Sequence, residues 1–121
     1  MLKVHPKRLG DLVVLCLEGE IVTGETSSLR EEVLAQLGVS TVVLDFARVS
    51  GIDAGGLGVL LELREQTASR RIEFKLVNIP AMVRQVLETT GLDSVFDISS
   101  AENVVVVRGR AGAALQLPAC T

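Results

Sequence analysis

Apolar residues along this chain fall into short runs and stripes whose spacing alternates between two periods. Residues 12–17 form an unbroken apolar run between Gly10-Asp11 and Gly19, and its length and β-branched content predict a strand. The Gly10-Asp11 turn can pair that strand with residues 2–5. Residues 26–37 set Leu29, Val33, Leu34 and Leu37 at the spacing of one helical face, with Arg30, Glu31 and Glu32 on the outer side. An amphipathic surface helix follows, stopped by Gly38. Residues 39–46 are β-branched and apolar through their middle, which predicts a central strand covered on both faces.

After a connection at 47–52, Asp53-Ala-Gly-Gly-Leu-Gly opens a helix over 59–69 that ends in Arg70-Arg71, where positive charge complements the helix dipole. Residues 72–78 alternate Ile72, Phe74 and Leu76 against Glu73 and Lys75, as a strand does. Pro80 suits a first helical position, Val83, Val86 and Leu87 give the stripe, and Gly91 can take a left-handed cap with Leu92 folded back on Leu87. Residues 95–98 read as a short last strand. Ser99 and Ser100 with Glu102 could open a final helix, which the β-branched residues 104–107 oppose. This alternation of strands and helices is that of an α/β domain with a partly parallel sheet. One domain over 1–108 and a weakly structured tail over 109–121 are expected.

Composition narrows the function. A length of 121 residues suits one domain. Trp and Tyr are absent, Phe occurs three times and the net charge is -3, so neither stacking platforms nor a basic phosphate-binding surface is available and no nucleic-acid partner is expected. Cys16, inside an apolar strand, reads as an inert buried thiol, and Cys120 as a free one; that usage suits a reducing compartment. No run reaches the roughly 18 apolar residues of a membrane span, and Met-Leu-Lys-Val-His-Pro lacks a signal core. The expected location is cytoplasmic, without membrane insertion.

Chemistry-bearing constellations are sparse. His5 is the single histidine and has no Ser or Cys context; Glu62 and Glu65 lie on a solvated helix face. The glycine-rich segment lacks the Gly-Lys-Ser/Thr of a phosphate loop and the Gly-x-Gly-x-x-Gly of a dinucleotide fold. No enzyme, metal or cofactor is expected. The junction at 50–58 still stands out. Asp53 is a helix N-cap candidate, and three glycines in the following five positions each cost about 0.8–1 kcal/mol relative to alanine within a helix. That cost points to a tight turn, close backbone packing or a surface another molecule approaches.

These residues carry a resemblance. The segment Val42-Val-Leu-Asp-Phe-Ala-Arg-Val-Ser-Gly-Ile-Asp-Ala-Gly-Gly-Leu-Gly-Val-Leu-Leu61 resembles the central signature of STAS domains, a hydrophobic-Leu-Asp-Leu strand followed by Asp-Ser-Ser-Gly-Leu-Gly. Leu17-Glu-Gly-Glu-Ile21 is similar to the family's Leu-x-Gly-Glu-Leu-Asp, and Leu76-Val-Asn-Ile-Pro80 through Gly91-Leu92 to its later segment. The resemblance implies a single domain with a mixed β-sheet flanked by helices, and a regulatory binding role like that of anti-sigma-factor antagonists. In those proteins the first serine of Asp-Ser-Ser-Gly is phosphorylated by a kinase-type anti-sigma factor. Here that position is Ala54, the second serine is Gly55, and the Asp of Glu-Leu-Asp is Val22. Phosphorylation at the usual site is therefore not expected.

The docking residues expected on this basis are Asp53, Ala54, Gly55, Gly56 and Leu57, with Ser50, Glu20 and Thr23 at the same end. The expected partner is an anti-sigma factor of the serine-kinase type or a signalling scaffold, and a homodimer is compatible. Two alternatives remain open: an accessory subunit of a lipid-transport ABC system, and a nucleotide or anion sensor using the amides at Gly55–Leu57.

Overall fold

Gly10, at a φ of +58°, turns strand β1 (Lys3–Leu9) back onto β2 (Leu12–Ile21). The pair is antiparallel, with Val4 opposite Leu17 and His5 opposite Cys16. The computed structural model describes residues 1–36 and 38–99, the backbone of Val105–Arg108 and Arg110–Ala114, and Cys120. From β2 onward the chain repeats one move, crossing over through a helix to a parallel neighbour. Helix α1 (Ser27–Ala35) leads to β3 (Thr41–Ile52), α2 (Ala54–Ser69) to β4 (Glu73–Val77), and α3 (Ala81–Thr89) with a 3-10 turn to β5 (Asp97–Ser99). The five-stranded sheet has the order β1-β2-β3-β4-β5, parallel except for the first pair.

Strands that advance in one direction through crossovers of one hand carry all their helices on one face. The core obeys this. Leu29 and Val33 of α1, Leu57, Leu60 and Leu63 of α2, and Val83 and Leu87 of α3 pack with Val13, Leu15, Leu17, Val42, Leu44, Phe46, Phe74 and Leu76 of the sheet. The opposite face holds a second, smaller cluster of Leu12, Val14, Cys16, Val43 and Val77, against which Cys120 packs. The strand at 39–46 is thus buried on both faces, as its apolar run implies, although the described helices cover only one of them.

Several expectations change. Residues 47–52, read as a connection, continue β3: Glu18 to Ile21 pair with Arg48 to Ile52, with one register shift just before Glu18 and another between Gly19 and Glu20. Helix α2 begins at Ala54, directly after the expected Asp53 cap, so the glycines form its first turn and the helix extends N-terminal to the 59–69 stripe. Leu34 is exposed and not part of the buried stripe of α1, and Leu37 lies outside the described residues. Lys75, expected on a wet face, is buried and donates to Asp97 Oδ2 at 2.7 Å. Gly91 does take the left-handed conformation after α3, at a φ of +74°, and its amide donates to the Glu88 carbonyl.

The C-terminal expectations divide. A helix opened by Ser99, Ser100 and Glu102 would fall largely outside the described residues; Val105–Arg108 is a strand, β6. The segment from Gly109, read as weakly structured, contributes the strand β7 (Arg110–Ala114), antiparallel to β6. Cys16 and Cys120 are not two thiols. They form a disulfide, with Cα atoms 5.6 Å apart. Cys16 alternates away from the helix side of β2, onto the face where Cys120 packs, and sequence distance hid that meeting.

Candidate docking site

The parallel pairing of β2 and β3 brings two chain segments together at the C-terminal ends of both strands. Ile21 lies opposite Ile52, and the Asp53 amide donates to the Ile21 carbonyl at 3.3 Å. Asp53 is extended at the start of α2 and caps it, its Oδ1 accepting from the Gly56 amide at 2.8 Å. The same carboxylate accepts from the Thr23 amide, at 3.1 and 3.0 Å to its two oxygens. One side chain therefore clamps the β2–α1 loop to the first turn of α2. The Thr23 amide first, and then the Gly56 amide, hold the Asp53 carboxyl below the usual carboxylate range.

The sign of this linkage can be tested. A lowered folded pKa means that the charged form is favoured by folding, so its contribution is complete above the unfolded value and is lost as pH falls through the folded one. Asp53→Ala should melt a few degrees below the parent above about pH 5, and the difference should begin to shrink below about pH 4 and vanish only as the pH falls through the lowered folded value. A constant difference in thermal melts down to pH 2 would show that the carboxylate charge plays no part.

The glycines divide by what they touch. A Cβ on Gly56 would overlap the Ile21 carbonyl oxygen, and one on Gly55 would overlap Thr23 Oγ1. A Cβ on Gly58 meets nothing within 4 Å. Close backbone packing thus accounts for Gly55 and Gly56. Thr23 fills the space a side chain at position 55 would need. Sequence reasoning grouped Thr23 with this end of the molecule but gave no sign of that exclusion.

The proposed contact residues separate accordingly. Ala54, Thr23, Ser50 and Glu20 are exposed, and Asp53 and Gly55 are half-buried at the same end. Gly56 and Leu57 are buried beneath them, Leu57 within the main core. The Gly56 amide serves the Asp53 carboxylate, and the Leu57 amide donates to the Asp53 carbonyl at 2.9 Å.

A cleft of about 390 Å³ borders the exposed group, lined by Thr23, Gly24, Thr26, Ser27, Arg30, Gly55 and Val59. Arg30 donates to Glu62 through Nε at 2.9 Å and Nη2 at 3.2 Å, joining α1 to α2 at the rim. Sequence reasoning assigned both residues to solvated faces; 32 positions apart, they carry no local signal of being partners. Each raises the other's preference for its charged form, with the Arg30 side-chain bond the first cause of the lowered Glu62 carboxyl.

Residues 3–104 match a family model described as STAS domain. The chain belongs to the STAS domain family. Among its relatives, BtrV of Bordetella bronchiseptica, provisionally named an anti-sigma factor antagonist, is 29% identical over 101 residues, covering 82% of this chain and 87% of BtrV. A crystal structure of a provisionally named anti-sigma factor antagonist from Thermotoga maritima superposes with a TM-score of 0.72 at 26% identity, over 78% of this chain and 84% of that one. The anti-sigma factor antagonist SpoIIAA in its unphosphorylated form shares the fold, with a TM-score of 0.69 at 22% identity over 85% and 90% of the two chains. These relatives, named as anti-sigma factor antagonists, are what the chain is similar to along most of its length. No described helix in it is long and apolar enough to cross a membrane.

Proposed function

We propose that this STAS domain binds a protein partner, an anti-sigma factor or a signalling scaffold, through the exposed group Ala54, Thr23, Ser50 and Glu20. The observation that carries this reading is the Asp53 clamp: it fixes two loops from different crossovers into one preformed, exposed end of the sheet. Preorganised loops lose little entropy on binding, which favours their use as a docking face. The relatives named as anti-sigma factor antagonists supply the class of partner. The test is to identify proteins that co-purify from the native cell and titrate them against the parent and Ala54→Asp. Equal binding by both would remove this face from the contact.

The docking is not switched by phosphate at the usual position, because Ala54 has no hydroxyl to accept it. Incubation with ATP and a cognate kinase should leave the 50–58 segment unmodified in peptide mass spectra, and Ala54→Ser should gain one phosphate there if the partner is a kinase. Stoichiometric phosphate on Ser50 in the parent would overturn this.

A further inference from the structure

Two of the four exposed residues at the proposed docking face, Thr23 and Ser50, carry hydroxyl groups. Their settings differ. Ser50 lies in strand β3 between Val49 and Gly51, both of which pair with β2. Thr23 stands in the turn between β2 and α1, just before Gly24 at a φ of +87°. An exposed turn can be presented to another protein's active site, whereas a laddered strand would first have to unpair. The hydroxyls that follow Thr23 are worse placed. Thr26 is buried, Ser27 is already in the first turn of α1, and Ser28 donates to the Leu2 carbonyl at 3.2 Å.

Two groups of opposite charge lie near this residue. The Thr23 amide donates to both oxygens of Asp53, which makes it one half of the clamp, and Thr23 Oγ1 fills the space that a side chain at position 55 would need. Thr23 also lines the cleft of about 390 Å³, together with Thr26, Ser27 and Arg30. Arg30 engages Glu62 through Nε and Nη2, which leaves its Nη1 outside that pair. A tetrahedral oxoanion attached at Thr23 would thus have room, and hydroxyls, the start of α1 and a guanidinium would border it. The Glu25 carboxylate in the same loop is engaged by the N-terminal ammonium at 3.0 Å.

We propose that Thr23 is a phosphorylation site, where a protein kinase transfers the γ-phosphoryl group of ATP and thereby opens the Asp53 clamp. The Thr23 oxygen attacks the γ-phosphorus, the bond to the β-phosphate oxygen breaks, and ADP departs. The hydroxyl proton passes to a base of the kinase. The product carries about 1.5–2 negative charges on the very residue whose amide Asp53 holds. Asp53 repels that charge, while Arg30 attracts it into the cleft in competition with Glu62. The β2–α1 loop is thereby drawn off the first turn of α2. Modification of Thr23 does not depend on what docks; its effect on docking rests on the face proposed above.

The full-length protein, isolated from growing and from starved native cells with phosphatases inhibited, should carry one phosphate in part of its population. Fragment spectra of the tryptic peptide 9–30 should place it on Thr23. Thr23→Val, which keeps the shape of the side chain, should lose the phosphate, and Ser27→Ala should keep it. A second comparison reads the clamp without any kinase. In hydrogen exchange near pH 7, the Gly56 amide of Thr23→Glu should exchange roughly fivefold faster than that of Thr23→Gln, since the two differ only in charge. Three results would each overturn the proposal: a 9–30 peptide without phosphate in both kinds of cell, a phosphate that persists in Thr23→Val, or equal Gly56 exchange in the Glu and Gln variants. Should Thr23 carry phosphate and the clamp open while the co-purified partner binds unchanged, the docking face is wrong and this site stands.

Discussion

Gly56→Ala should melt roughly 5–10 °C below the parent, whereas Gly58→Ala, two residues along the same helix, should melt at or above it. Both substitutions place a better helix former in α2, which alone favours the variant by about 1 kcal/mol. At Gly58 nothing lies within 4 Å of the new methyl group, so that gain is realised. At Gly56 the methyl would overlap the Ile21 carbonyl oxygen, a backbone atom of a central strand that also accepts from the Asp53 amide. A flexible side chain could rotate away, but a strand carbonyl cannot. The helix must lift instead, stretching the Asp53 bond to the Gly56 amide and disturbing the burial of Leu57 and Leu60. Overpacking of this kind typically costs 1–3 kcal/mol or more, about twice the propensity gain. Equal stabilities for the two variants in thermal melts would mean that α2 does not approach β2 as described.

That contrast also marks where the sequence stops being legible. The elements came from local periodicity, and α1, α2, β4 and α3 lie close to where their apolar stripes put them. Asp53 was identifiable as a cap because capping is decided within four residues. Three equal-looking glycines were not separable, since the atoms that distinguish Gly55 and Gly56 from Gly58 belong to Thr23 and Ile21, more than thirty positions earlier. The same limit hid the Arg30–Glu62 pair and the Cys16–Cys120 bond, each a meeting of distant positions. The extension of β3 through 47–52 was missed for a related reason. Exposed Ala47, Arg48 and Ser50 look like a loop until β2 supplies the ladder they join.

Ala54→Asp should separate fold from binding. Ala54 is the first residue of α2 and is exposed, so a carboxylate there meets the helix N-terminus in water. The macrodipole favours it by about 0.3–1 kcal/mol, and the neighbouring Asp53 carboxylate offsets part of that gain. Stability should therefore stay within about 0.5 kcal/mol of the parent. Binding should fall by more than tenfold. In a complex formed over Ala54, the new charge would lose its water and find no partner, at a cost of about 2–5 kcal/mol. A phosphate on the serine of related proteins adds charge at the matching place, so one physical effect would serve as a switch there and as a probe here. Melts and titrations on a single preparation read both quantities. Undiminished affinity would remove Ala54 from the interface, and a large loss of stability would show that the helix start tolerates no charge, which its exposure argues against.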